Sequence, residues 1–171
     1  AATVAQSPQK FFGLGTVPLQ DPQLASRELE RCMTELKLSG VQIGTNVNGQ
    51  YLDDPQFEVF FETAERLNAS LFVHPWEVAG SERMNRYFLP WLVGMPMETT
   101  LAISSFIFGG LFDKFPKLKI AFAHGGGSFA YNLGRLKKGH QVRSDLFQVN
   151  GNQSPETYLG RFFVDSLVHD P

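Results

Sequence analysis

A single cysteine, Cys32, stands among 171 residues. No disulfide can close within the chain, which agrees with a reducing compartment and places the protein, as an expectation, in the cytoplasm. Charge is sparse as well: Asp, Glu, Lys and Arg make up 19%, with 15 basic against 17 acidic residues and a formal net charge of −2. Without a long Lys/Arg run, neither nucleic acid nor an anionic membrane surface is expected as a partner. No apolar run approaches the roughly 20 residues needed to cross a bilayer. Ala1 to Lys10 lacks the basic-then-apolar pattern of a signal peptide. An initiator methionine is missing too, which fits a processed chain or a piece of a longer one. No repeat, low-complexity tract or linker divides the sequence, and its length fits one domain.

What is present is a globular composition, 43% hydrophobic, with an uneven aromatic set of 16 Phe against 4 Tyr and 2 Trp. Phenylalanine buries a large area with no polar atom to satisfy, so the bias reads as core-building. Phe11 to Val17 reads as a buried strand ending at Pro18. Pro22 to Leu38 carries Ala25, Leu29, Cys32/Met33 and Leu36 on one helical face, with Asp21 as N-cap, Pro22 in the first turn and Gly40 as the stop. Val41 to Thr45 is the next strand. Asp53-Asp54-Pro55 then opens a helix that buries Phe57, Phe60/Phe61, Ala64 and Leu67.

Leu71 to His74 is a short strand closed by Pro75. Between Tyr87 and Phe112, with Pro90 and Pro96 breaking the first part, only Glu98 to Phe112 reads as helix. Leu118 to Ala123 is a strand, Gly125-Gly126-Gly127 a turn, and a helix runs on to about Lys138. Residues 139–157 read as loop, and Arg161 to Asp165 as a last strand. Five strands alternating with four helices imply an α/β chain with a parallel sheet and right-handed crossovers. Either an open doubly wound sheet or a barrel accepts that pattern. A complete eight-fold barrel takes about 200 residues or more, so length alone favours the open sheet.

In both architectures reactive groups gather at the carboxyl ends of strands. His74 and His124 both sit there, 124 − 74 = 50 residues apart, one β/α unit. Two imidazoles at equivalent positions suit metal ligation or acid–base work near pH 7; packing histidines are the plain alternative. His140 and His169 lack that placement and read as structural. His124-Gly125-Gly126-Gly127 admits three functional readings: the oxyanion loop of an esterase, a loose dinucleotide fingerprint with Asp145 as the ribose acid, or a backbone that packs closely while His124 enters a site. The first needs a separate nucleophile elbow, and the only near match, Gly126-Gly127-Ser128-Phe129-Ala130, overlaps the loop itself. A simple flexible turn fits the same spacing as the third. Taken alone, Arg135 reads as a solvated helix-face arginine and Trp91 as packing.

Several stretches together resemble the aminocarboxymuconate semialdehyde decarboxylases, of the metal-dependent amidohydrolase superfamily. They are Gly13-Leu14-Gly15-Thr16-Val17-Pro18, Gly40 to Gly49, Phe72-Val73-His74-Pro75-Trp76, Leu89 to Pro96, Ala123 to Gly127, and Asp165 to Pro171. The resemblance implies a (β/α)8 barrel with one divalent metal, usually Zn²⁺, at its C-terminal mouth. It therefore reverses the length argument and implies that residues 1–171 are the central part of one barrel domain, about five β/α units. By the same resemblance His74 is a metal ligand and His124 the histidine that activates the metal-bound water. Trp91 lines the pocket, and Arg135 reaches a substrate carboxylate in the neighbouring subunit of a homodimer. The implied reaction is non-oxidative decarboxylation of a small unsaturated dicarboxylate. Related enzymes acting on aromatic acids are the nearest alternative, and a non-catalytic α/β domain the next.

The chain departs from the pattern in lacking the His-x-His pair and ending before the late aspartate; Asp165 and Asp170 come too early to replace it. A substrate arginine expected near the front is also outside the chain. With one ligand in hand, these residues alone are expected neither to hold Zn²⁺ tightly nor to catalyse.

Overall fold

A computed structural model describes residues 1–147 and 153–169. A short helix α1 (Ala2–Gln6) precedes strand β1 (Leu14–Thr16) and helix α2 (Pro22–Thr34). The Asp21 carboxylate accepts the Leu24 N–H at 3.0 Å, so one orphan donor of the first turn is satisfied where Pro22 needs none. Ala25, Leu29 and Cys32 are buried along the inner face. Exchanging Asp21 for alanine is expected to lower stability by about 0.5–2 kcal/mol, read from denaturant unfolding. Cys32 packs under β1, and burial raises its thiol pKa, which keeps it protonated.

α2 stops at Thr34, short of the expected glycine stop, and Gly40 instead opens β2 (Gly40–Ile43). A side chain at Gly40 would lie 1.8 Å from the Ser70 carbonyl oxygen, so this glycine serves close strand approach. A hairpin that the periodicity does not foretell follows, β3 (Asn46–Val47) and β4 (Gln50–Tyr51), turning at Asn48-Gly49 with both residues at positive φ. Asp54 then caps a 3-10 turn, Pro55–Phe57, that leads into α3 (Glu58–Arg66) and β5 (Ser70–Val73).

A π-helical turn, Pro90–Gly94, runs directly into α4 (Met95–Phe108), so helix starts well before Glu98. Pro96 does not break it, because it stands at the second position of α4, where the wider π-helical turn gives way to α-helix. The helix also ends sooner than expected; Gly110 is left-handed and α5 (Leu111–Lys114) is a separate turn. The run Pro90–Phe108 spans 19 residues and is apolar enough to cross a bilayer, contrary to the sequence reading. Half of it is buried within the protein, with Ala102, Ile103, Phe106 and Ile107 in the core. After β6 (Lys119–Phe122), α6 (Phe129–Val142) reaches further than expected. The segment read as loop also carries 3-10 turns at Ser144–Leu146 and Pro155–Tyr158, with residues 148–152 outside the description. Strand β7 (Phe163–Val164) completes the sheet.

All pairings in the main sheet are parallel and its order is β1-β2-β5-β6-β7. The order never reverses, so right-handed crossovers lay every helix on one face. Burial agrees. Val41, Ile43, Leu71, Val73, Ile120 and Phe122 are covered, while the alternate Gln42 and Lys119 are exposed and Phe72 is half-buried. A doubly wound sheet reverses direction at a switch point and is covered on both faces. Sequential order with one covered face is the progression of a barrel wall, and the open-sheet expectation from length gives way to it.

Phenylalanine builds the covered side, where Phe106 meets Phe61 edge-on at 5.2 Å and Phe122 at 5.7 Å. The core-building reading fails at four positions. Phe11, Phe12 and Phe163 lie exposed at the two outer strands, and Phe88 is exposed elsewhere.

Candidate active site

Both candidate histidines continue their strands by a residue or two. The His74 N–H reaches the Ile43 carbonyl at 2.9 Å and the Ala123 N–H the Val73 carbonyl at 3.0 Å, so the ladder sets both side chains at the carboxyl ends of β5 and β6. Adjacent strands in register then bring the two rings together, centroids 5.0 Å apart and edge-on at 63°.

The imidazoles open onto a cleft of about 630 Å³ that Trp91, Leu167 and His169 also line. Trp91 lies flat against Phe88, centroids 4.7 Å apart and planes within 2°. This is an exposed aromatic wall, not the packing role its sequence position suggested. His169, read as structural, belongs to this cleft, because the chain leaving β7 turns back over it. His140 does pack, against the Phe108 ring.

Burial lowers the His124 pKa, the charges of His74 and His169 lower it further, and Asp165 opposes them. The net direction is downward, which favours the neutral imidazole. Its Nδ1 is buried without a hydrogen-bond partner among the described residues, leaving Nε2 as the ring nitrogen free to exchange a proton.

His124 and the three glycines after it all have positive φ. This left-handed run is held on every side. The Gly126 N–H is taken by the Ala123 carbonyl at 3.1 Å, the Gly127 N–H by the His124 carbonyl at 2.8 Å, and the Gly125 N–H by Asp165 Oδ1 at 2.8 Å. A side chain at Gly127 would meet the Pro96 carbonyl oxygen at 2.0 Å. The loop is therefore rigid and packed on the first turn of α4, not a flexible turn.

With every glycine N–H engaged, the loop has no donor to spare for an oxyanion. Ser128 Oγ meets Thr100 Oγ1, Asn132 Nδ2 and Met97 Sδ, and among the described residues no base bonds to it. The esterase reading ends there. The dinucleotide reading ends at Asp145, which lies on the 3-10 turn Ser144–Leu146 in an exposed ion pair with Arg143.

Two carboxylates escaped the sequence reading as site residues. Glu98, the one charge in α4, is buried. It accepts from Thr45 Oγ1 at 3.3 Å, Asn46 Nδ2 at 3.2 Å and the Ala79 N–H at 2.7 Å. It thereby ties the loop after His74 to the end of β2, and its isolation in an apolar helix was the available signal. Asp165, just past β7, holds the glycine loop, and nothing local in the sequence announces a partner 40 residues earlier. Burial acts to raise its pKa, but hydrogen bonds from the backbone amides of Gly125, Leu167 and His124 and the His124 charge outweigh it, so the carboxyl sits below its ordinary value.

Arg135 is exposed on α6 beside Phe108, Gly139 and Phe147, and the structure does not bring it into the histidine cleft. Two imidazoles 5.0 Å apart that open onto one cleft fit a divalent cation that takes nitrogen ligands as part of a larger donor set. Among the described residues no group of three His, Cys, Asp or Glu side chains could hold one. Asp165 is engaged with backbone amides, and Asp170 lies outside the described residues.

A family model described as amidohydrolase matches residues 1–165. The 2-amino-3-carboxymuconate-6-semialdehyde decarboxylase of Dictyostelium discoideum is 53% identical over 170 residues, which cover 99% of this chain and 47% of that protein. Among solved structures, 5-carboxyvanillate decarboxylase from Sphingomonas paucimobilis is 34% identical with a TM-score of 0.85, covering 95% of this chain and 50% of that one. The 5-carboxyvanillate decarboxylase of Novosphingobium aromaticivorans, with bound manganese and a nitrobenzoic acid, is 31% identical with a TM-score of 0.84, covering 98% of this chain and 51% of that one. The chain thus spans about half the length of the relatives it matches.

Proposed function

The chain belongs to the amidohydrolase family, and we propose that the protein containing it is a metal-dependent, non-oxidative decarboxylase of 2-amino-3-carboxymuconate 6-semialdehyde. The observation that carries this reading is the pair of imidazoles, His74 and His124, 5.0 Å apart at the mouth of one parallel sheet. The likeness to a relative with that activity across 99% of the chain supports the substrate. We propose further that residues 1–171 form the central part of one barrel domain, whose other strands supply the remaining metal ligands.

Loss of CO2 leaves an electron pair on the substrate carbon, which must take a proton. His124, favoured as the neutral imidazole by its burial, can accept a proton at Nε2 and return it to that carbon. Phe88 and Trp91 give a flat face against which a planar, conjugated substrate can lie. The packed glycine loop keeps the His124 ring from swinging away. A divalent cation, with His74 as a ligand from this chain, would supply the positive charge that draws in the released electron pair. The cation is proposed to be zinc, and elemental analysis decides between it and the manganese seen in a similar structure. Arg135, exposed on α6, is proposed to reach a substrate carboxylate in the neighbouring subunit of a homodimer.

A second reading, an aromatic carboxylic acid as substrate, is favoured by the likeness to two carboxyvanillate decarboxylases. Assays of CO2 release from the muconate semialdehyde and from 5-carboxyvanillate test both. Turnover of the first alone is expected, with loss on chelation and return on adding metal. Turnover of the aromatic acid alone would replace the proposed substrate, and turnover of neither would end the decarboxylase reading.

A further inference from the structure

We infer that Asp165 is a positioning residue for His124, acting through the backbone of the glycine loop. Asp165 follows β7 directly, and its N–H continues the ladder to the Phe122 carbonyl at 3.1 Å, which fixes where its side chain starts. From there one oxygen, Oδ1, accepts the Gly125 N–H at 2.8 Å and the Leu167 N–H at 3.1 Å. The first bond holds the loop that carries His124. The second holds the segment that brings Leu167, Val168 and His169 over the same cleft. One carboxylate therefore ties together two walls of the site.

The bond to Gly125 is the one that matters for the ring. His124 has φ of 58° and Gly125 has φ of 61°, so the chain turns left-handed where the imidazole leaves it. A side chain rarely rests in that region unless its surroundings hold it there. The Gly126 and Gly127 amides close onto Ala123 and His124, within the turn itself. The Gly125 amide instead reaches out of the turn to the residue after β7, where Asp165 accepts it at 2.8 Å and also draws on the His124 amide. No Lys, Arg or His among the described residues forms an ion pair with Asp165, so this carboxylate is spent on backbone amides.

That His124 acts in turnover rests on the decarboxylase reading, whereas the backbone anchoring does not. The test compares Asp165→Ala with Asp165→Asn, which keeps Oδ1 as an acceptor, in the full-length protein that contains these residues. Amide hydrogen exchange followed by NMR is expected to speed up by roughly tenfold or more at Gly125 and Leu167 in the alanine variant. The β5 and β6 ladder amides should be unchanged, and the asparagine variant should stay near the parent. In the same enzymes the alanine variant is expected to lose about tenfold or more in kcat, with KM and metal content kept, and asparagine to restore most of it.

Unchanged exchange at Gly125, or an equal rise across β5 and β6, would overturn the anchoring. Faster exchange with kcat unaltered would overturn the positioning role. A parent enzyme without decarboxylase activity would overturn the functional reading, while exchange confined to Gly125 and Leu167 would still support the anchor.

Discussion

Replacing His124 with alanine in the full-length protein is expected to lower kcat by about 10²–10⁴-fold, the usual contribution of a positioned acid–base group, while bound metal stays at the parent level. Stability should change by less than about 1 kcal/mol, because the terms nearly cancel. The imidazole Nδ1 is buried without a partner among the described residues, so its removal sacrifices no hydrogen bond there. Both residues carry the Cβ that makes a φ of 58° costly, with histidine the better tolerated of the two, so the backbone contributes only a small loss. His74→Ala should behave differently and lose metal and turnover together. The two variants measured side by side, by elemental analysis and steady-state kinetics, assign separate roles to two rings 5.0 Å apart. Turnover retained in His124→Ala would return that residue to a packing role. Metal retained in full by His74→Ala would remove it from the ligand set.

Local patterns in the chain account for the main-sheet strands, for the helices between them and for half of the site, but not for the β3–β4 hairpin. Apolar spacing marked α2 and α3, and short β-rich runs ended by His74 and His124 marked the strands that matter. The equivalence of those two strand ends was readable because a parallel sheet converts chain position into spatial position. Length misled, since an open sheet and a piece of a barrel wall have the same alternation of elements. Strand order tells them apart, and order is a property of pairing that periodicity does not carry. The helix boundary at Pro96 was misplaced for a local reason: proline breaks a helix interior but suits a first turn, and the sequence does not say which applies. Glu98, Asp165 and His169 were missed because each takes its role from a partner or a cleft wall far along the chain, as Asp165 does with Gly125 at 2.8 Å. Even the glycine run was half legible. Its spacing left close packing and simple flexibility equally open, and only the neighbours of each missing side chain separate them.

Gly127→Ala turns that distinction into a stability measurement. Gly127 has φ of 63° and ψ of −131°, a region that alanine enters at a cost of about 1–3 kcal/mol. The added methyl would also lie 2.0 Å from the Pro96 carbonyl oxygen and 2.8 Å from Thr100 Oγ1. The Pro96 carbonyl is backbone in the first turn of α4, and it already accepts the Thr100 hydroxyl at 2.9 Å, so it cannot step aside without disturbing that turn. Overpacking of this kind adds about 1–3 kcal/mol. A combined loss of about 3 kcal/mol or more is expected, a large share of the about 5–15 kcal/mol that holds a typical domain together. Gly134→Ala is the matched control, on the exposed side of α6 with nothing within 4 Å of the new methyl. There alanine should stabilise by about 0.5–1 kcal/mol, because a helix interior favours it over glycine. Denaturant unfolding of the two variants should therefore shift in opposite directions. If Gly127→Ala cost less than about 1 kcal/mol, the loop would be free to lift from α4, and the rigid seat derived for His124 would be lost with it.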